Sequence, residues 1–338
     1  MTLTAYSLAE FLELPPPEWL IEGVLPVQGL IALYGQPGDG KTFIALDMAL
    51  SIASGRDWQG HPVKKGCVVY ISAEGGGGLS KRVGAWLAYH KVRPSEYQDI
   101  FANFIVSAIR IHPESEDLGD LIVQTVEKAE YRWKLIDDCI NSELPIDPND
   151  TPDPPLFVVV DTLSRCFEGD ENQQEDMGNF IKGLDWLRQE HGATVEVVHH
   201  TNKSSFDERG SSVFRGACDT MMLVSKKEND ITLKCTKQKD YEEFGTETFE
   251  LVVVPEWNSC VIESSLTRIN KEKALIVEYL QEFPNTPIRE IALALGLSKS
   301  VVHRRIQEIR TEQNEGEQPL AVAQRRTNSF KDSPIWDR

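Results

Sequence analysis

The eight residues GQPGDGKT, Gly35 to Thr42, constrain the fold more than any other stretch. They follow the short apolar run GLIALYG and open KTFIALDMALSIASG, whose apolar residues recur at helical spacing. The pattern G-x-x-x-x-G-K-[ST] between a strand and a helix lets backbone N–H groups turn towards an anion, and the helix N-terminus adds partial positive charge. A plainer alternative, a Gly-rich loop that only turns the chain, leaves both flanks unexplained. Lining such a site would be Gly35, Gln36, Pro37, Gly38, Asp39, Gly40, Lys41, Thr42 and Phe43. Lys41 is spaced to reach the β- and γ-phosphates of a nucleotide and Thr42 to hold Mg²⁺, so the expected cofactors are ATP and Mg²⁺.

A second carboxylate-bearing strand follows. PPLFVVVDTLSRCFEG climbs through apolar residues to Asp161, the shape of a buried strand that presents one carboxylate at its end. With a P-loop upstream, Asp161 is expected to hold Mg²⁺ together with Thr42; capping the next segment is the alternative. Thr162, not glutamate, comes next, so a base for water must lie elsewhere. The strand CVVYISAE ends in Glu74 followed by four glycines. If that strand neighbours the P-loop strand, Glu74 faces the γ-phosphate and can orient water. Its bland reading is an exposed glutamate opening a loop.

Strands and helices alternate through most of the chain, and the strands are apolar throughout. That predicts an α/β fold with a mostly parallel sheet covered on both faces. From Asp219 the runs TMMLVSKK, DITLKCTKQ, ETFELVVV and SCVIES predict an antiparallel extension. The organisation read from this is an N-terminal lead-in over 1–28, an ATPase domain over 29–265 with a helical and Pro/Asp-rich insertion at 110–155, and a small domain over 268–338.

Six cysteines at 67, 139, 166, 218, 235 and 260 form no CxxC pair, which points to reduced thiols in a cytoplasm. No apolar run spans a membrane and no leader peptide is evident. The formal charge of −18 is uneven: 12 Lys+Arg meet 10 Asp+Glu from Arg268 onward, leaving 23 against 43 in the remainder. An acidic body disfavours non-specific coating of DNA but leaves a lined channel open.

Taken in order, GQPGDGKT, YISAEG, VVVDTLSR, VVHHTNK and RGSSVFRGACD resemble the RepA family of hexameric plasmid replicative helicases, a RecA/DnaB-like branch of P-loop ATPases. The resemblance covers about residues 18–255 and implies a RecA-like core. It implies that His199 or His200 senses the γ-phosphate, and that Lys203 and Arg209 face single-stranded DNA in a channel. It also implies a homo-hexamer in which a cation of one subunit reaches its neighbour's ATP. Lys237 and Lys239, alternate on a predicted strand, are similar to the K-x-K pair of RecA-like proteins, and Arg215 is the rival finger. In the plasmid helicases the finger sits nearer the position of Asp219, so the sequence departs from them here. Lysines guarding an edge strand are the plain alternative.

The C-terminal segment reads as three helices. IREIALALG puts Ile288, Ile291, Ala292 and Leu295 on one face and stops at Gly296. Ser298 then caps a helix with Val302, Ile306 and Ile309 inward. Ser300, His303, Arg304 and Gln307 fall on the opposite face, suited to duplex DNA. LAVAQRRTNSFKDSPIWDR can form a wing with Arg325, Arg326 and Lys331 near its tip, and the whole resembles a winged helix-turn-helix. Three functions follow: a ring-forming DNA helicase, a RecA-like recombination ATPase, or a DNA-binding regulator switched by ATP.

Overall fold

The computed structural model describes residues 5–13, 18–73, 76–112, 115–140, 154–201 and 212–316, with side chains at all but 130–140 and 312–316. Met1–Ser265 and Leu266–Arg338 are two compact units. The first opens with α1 (Leu8–Leu12), closed by a Ser7–Glu10 capping box, and an antiparallel pair β1 (Trp19–Ile21) and β2 (Leu25–Pro26). It continues through β3 (Leu30–Gly35), α2 (Lys41–Ser54), β4 (Cys67–Ser72), α3 (Leu79–Tyr89), β5 (Ala102–Ile105), α4 (Glu116–Ile140), β6 (Leu156–Asp161) and α5 (Leu163–Cys166). After these come α6 (Gln174–His191), β7 (Ala193–His200), α7 (Ser212–Ala217), β8 (Thr220–Lys227), β9 (Asp230–Gln238), β10 (Glu247–Val254) and β11 (Ser259–Ser264).

The fold is mixed α/β around a mostly parallel nine-stranded sheet of order β11-β10-β9-β8-β3-β7-β6-β4-β5. Strands β3, β4 and β6 are buried at every position, as continuous apolar strands covered on both faces should be. Side-chain alternation divides the core in two. Ile31, Leu33, Tyr70, Val159 and Val198 pack under α2 and α3. Leu30, Ala32, Val158, Val195 and Val197 pack under α4 and α6.

Three expectations change. The lead-in is not merely extended: Leu20, Ile21, Val24 and Leu25 are fully buried in the α2-side core. The extension does not turn antiparallel at once, since β8 runs parallel to β3 and only β9 reverses. Finally, β4 does not neighbour the P-loop strand. Strands β7 and β6 intervene, and β4 instead pairs with β6. Within 110–155, α4 forms part of a core layer through buried Leu118, Ile122 and Ala129; residues 141–153 lie outside the described residues.

Helix α2, which carries the P-loop lysine, is pinned by a buried carboxylate. Asp47 accepts from Trp86 Nε1 at 2.7 Å and Gln59 Nε2 at 2.8 Å, while Gln59 Oε1 accepts from Ser264 N at 2.8 Å. Burial pushes the Asp47 carboxyl up to about 6, against the pull of these donors.

Helix α8 (Ser265–Glu282) leads into the second unit, which holds α9 (Ile288–Leu295) and α10 (Lys299–Gly316). Ile276, Ile291, Ala292 and Val302 form its core, with Ile288, Leu295, Ile306 and Ile309 against it. Gly296 closes α9 at φ 64°, and Ser298 Oγ accepts from Val301 N at 3.3 Å at the start of α10.

Candidate nucleotide and DNA sites

The P-loop follows β3 because its glycines meet two demands. Gly38 and Gly40 have φ of 88° and 100°, conformations that side-chain-bearing residues avoid. At Gly35 a Cβ would meet the carbonyl oxygen of Val224 at 2.2 Å, so β3 and β8 approach only because Gly35 has none. Gly40 also leaves the start of α2 without a side-chain cap. The helix start therefore keeps amides for an anion rather than for its own chain.

Lys41 is buried, and its Nζ donates to Gly35 O at 3.0 Å and Gln36 O at 2.9 Å. It also lies 3.3 Å from His200 Nδ1, which accepts in that contact. The Asp39 carboxylate accepts from Gln36 N at 3.1 Å, and partial burial, ahead of that bond, raises its pKa.

The alternation along β7 separates the two histidines. His200 shares the α2 face with Val198 and reaches Lys41, whereas His199 lies on the other face, 1 % exposed, its ring edge-on to Phe214 of α7 at 6.1 Å between centroids. One expected sensor is thus beside the P-loop and the other behind the sheet.

Asp161 ends β6, 4 % exposed, and accepts from Tyr70 Oη at 2.8 Å. Burial first, then the Asp161 charge, holds the Tyr70 phenol well above its ordinary pKa. Ser72 is in register with Asp161, and Ala73 N donates to Asp161 O at 2.8 Å. The strand that leads to Glu74 therefore runs beside Asp161 rather than beside the P-loop strand. Glu74 itself lies outside the described residues. A hydroxyl at Thr42 and a carboxylate at Asp161 are hard oxygen donors that suit Mg²⁺, with phosphate and water supplying the other ligands, so the residues present fit the ion.

Two residues near this site escape the sequence reading. Arg82 of α3 stacks over the Phe43 ring, 4.7 Å from its centroid, and its charge acts on Tyr70. It places a cation of the chain itself on the Asp161 side. Glu196, in the middle of β7, is fully buried, and neither carboxylate oxygen has a hydrogen-bond partner. Burial, then the Asp161 charge, pushes it up to about 8. A glutamate amid apolar residues in ATVEVVHH is its only sequence signal.

Lys237, Lys239 and Arg215 gather where α7 meets β8. Lys237 Nζ donates to the carbonyls of Arg215 at 2.9 Å, Gly216 at 3.4 Å and Cys218 at 2.5 Å. Lys239, just past the end of β9, has its Nζ 3.6 Å from Asp219 Oδ1. The bulge opposite Met221 and Met222 falls between Cys235 and Lys237, so it shifts the phase set earlier in β9 while Lys237 and Lys239 stay in alternation with each other. Phe214 places α7 on the face opposite α2, so these cations face away from this chain's own P-loop. Lys203 and Arg209 lie outside the described residues.

In the second unit Ser300, His303, Arg304 and Gln307 are exposed along α10. Arg305, between them in sequence, is 2 % exposed and donates to Glu272 at 2.7 Å and Glu308 at 3.0 and 3.2 Å. Arg325, Arg326 and the expected wing lie outside the described residues.

A P-loop at the end of a parallel strand, with a carboxylate two strands away, defines a P-loop ATPase core. Residues 4–205 match the AAA domain family, well over half of the chain, and the chain belongs to that family. Residues 274–308 match the winged helix-turn-helix DNA-binding family. The chain thus joins an AAA-type ATPase domain to a winged-helix DNA-binding domain. No curated protein matches it. Among the described residues no helix is long and apolar enough to cross a membrane.

Proposed function

We propose that this chain is a Mg²⁺-dependent ATPase that moves along single-stranded DNA, a ring-forming replicative helicase of the RepA type. The observation that carries the reading is the pairing of β4 with β6. It brings β4, which leads in sequence to Glu74, alongside Asp161, where a base for water is needed once Thr162 stands in place of the adjacent glutamate. In this reading Lys41 holds the β- and γ-phosphates, Thr42 and Asp161 hold the metal, and Glu74 takes the proton of the attacking water. Bound Mg²⁺ supplies charge neutralisation across the phosphates. His200 contacts the γ-phosphate side, and Arg82 adds positive charge from the same chain. A cation such as Arg215 or Lys239, facing away from its own P-loop, serves a neighbouring copy; that asks for a closed ring, and a hexamer fits the family resemblance. The α10 face with Ser300, His303, Arg304 and Gln307 contacts duplex DNA.

The test is ATP-dependent strand separation on forked DNA carrying a 3′ or a 5′ single-stranded tail. Separation that requires one tail supports the helicase and fixes its direction. Hydrolysis with an intact fork favours a recombination ATPase. Tight ATP-modulated binding to one duplex sequence, without strand separation, favours a regulator in which the winged helix is the working end.

A further inference from the structure

Helix α7 is six residues long, too short to persist without tertiary anchors. Its sequence weakens it further. Gly216 lies inside it, and a Cβ there would meet nothing within 4 Å, so no steric demand explains the glycine. Glycine inside a helix is less favourable than alanine, because it loses more backbone freedom on folding. Two anchors offset this. Phe214 is fully buried under the sheet and edge-on to His199. At the other end, one ammonium, that of Lys237, collects the carbonyls of Arg215, Gly216 and Cys218. A helix C-terminus leaves carbonyls unpaired and carries partial negative charge, so a lysine there completes both the hydrogen bonds and the electrostatics.

The two anchors lead to different places. Phe214 packs at the end of β7 through His199, whose neighbour His200 is at Lys41 on the opposite face. Lys237 ties α7 to β9, beyond the P-loop strand and β8. In sequence, residues 202–211 join the end of β7 to the start of α7.

We infer that Lys237 is a positioning residue that clamps α7 within its own chain, making α7 the part through which a change at the end of β7 alters the response of hydrolysis to DNA. The inference rests on the proposed ATPase and DNA reading. It replaces the trans role that the K-x-K spacing suggests for Lys237 with a cis one. A marginal helix held by two side chains is suited to such a task, because a small shift of His199 against Phe214 can load or release it.

The experiment is steady-state ATP hydrolysis by the full chain, with and without a single-stranded oligothymidylate, in wild type, Lys237→Met, Lys237→Arg and Gly216→Ala. For Lys237→Met the expected result is a KM for ATP within about twofold of wild type and a DNA stimulation of kcat that falls to about onefold. Lys237→Arg, whose guanidinium can still reach the carbonyls, recovers at least half of that stimulation. Gly216→Ala stiffens α7 and shifts the stimulation at least twofold without changing hydrolysis in the absence of DNA; should Lys237→Met fail to fold, this variant decides. Full stimulation in Lys237→Met, or in its place no change in Gly216→Ala, overturns the clamp. So does hydrolysis lost on mutating Lys237 but recovered on mixing with Lys41→Ala chains, which would make it a residue acting on a neighbour's phosphate. A wild type that shows no hydrolysis, or no DNA stimulation, overturns the proposed function and the clamp with it.

Discussion

His200 Nδ1 lies 3.3 Å from the ammonium of Lys41, across 159 residues of sequence, while His199 turns its ring to Phe214 on the other side of the sheet. The two histidines therefore test different things. His200→Ala should lower kcat about 100-fold, the loss typical of one preorganised donor at a transferring group, with ATP still bound. His199→Leu should leave DNA-free hydrolysis nearly intact and reduce its stimulation by single-stranded DNA. Steady-state hydrolysis with and without an oligonucleotide separates the two.

Glu74→Gln should keep ATP affinity and remove turnover, because the amide preserves shape but cannot take a proton. Binding of a fluorescent ATP analogue alongside phosphate release checks this. Near-normal release by the variant would show that the base lies elsewhere around Asp161.

Gly35→Ala puts a methyl group where the Val224 carbonyl oxygen already is. The β3–β8 spacing must widen at the entry to the P-loop. The expected cost is about 1–3 kcal/mol of stability, as for other overpacked sites, with weaker ATP binding. Urea unfolding and nucleotide titration of the variant measure both.

What the sequence makes legible is local. The turn at 35–42 announces itself because its glycines answer a backbone demand that no other residue meets, and the helix after it follows from apolar spacing. The inward and outward faces of α10 likewise follow from periodicity, down to exposed Ser300, His303, Arg304 and Gln307. Sheet order is not local. It depends on which crossover packs over which face, and β4 lands beside β6 rather than β3. Arg82 over Phe43 is invisible for the same reason, since only the packing of α3 beside α2 brings residues 39 apart in sequence together. A bulge between Cys235 and Lys237 shifts the phase set by Ile231, Leu233 and Cys235 and turns Lys237 to the α7 side, and at Arg305 an ion cluster buries a residue whose type suggests a surface.

Arg304 and Arg305 are neighbours with opposite fates. Arg304→Ala should weaken duplex DNA binding across sequences and lower the salt dependence by about one counterion, with stability unchanged. Arg305→Met should do the reverse. It leaves the largely buried Glu272 with the longer Arg268 contact at 3.7 Å in place of its 2.7 Å partner, so the C-terminal unit loses on the order of 2 kcal/mol, held below the value for a fully buried pair because Arg268 remains and Glu308 is a third exposed. Filter binding at several salt concentrations, with thermal unfolding of the full chain, checks both.

Glu196 gives the clearest pH signature. In the unfolded chain its carboxyl ionises near its ordinary value of about 4.3; in the fold, burial and then the Asp161 charge move it to about 8. Between those limits the folded state holds a proton that the unfolded state has lost, so this residue makes stability fall as pH rises through the window. Below it both states are protonated and the group contributes nothing; above it the full cost of a buried charge is present. The slope from one such group approaches about 1.4 kcal/mol per pH unit. Glu196→Gln, of the same shape and without a titrating proton, removes this slope, and the variant should gain on wild type steadily from pH 5 to pH 8. Urea unfolding midpoints of the two proteins across that range measure the difference directly. Parallel curves would mean that water or a rearranged neighbour already satisfies the carboxylate.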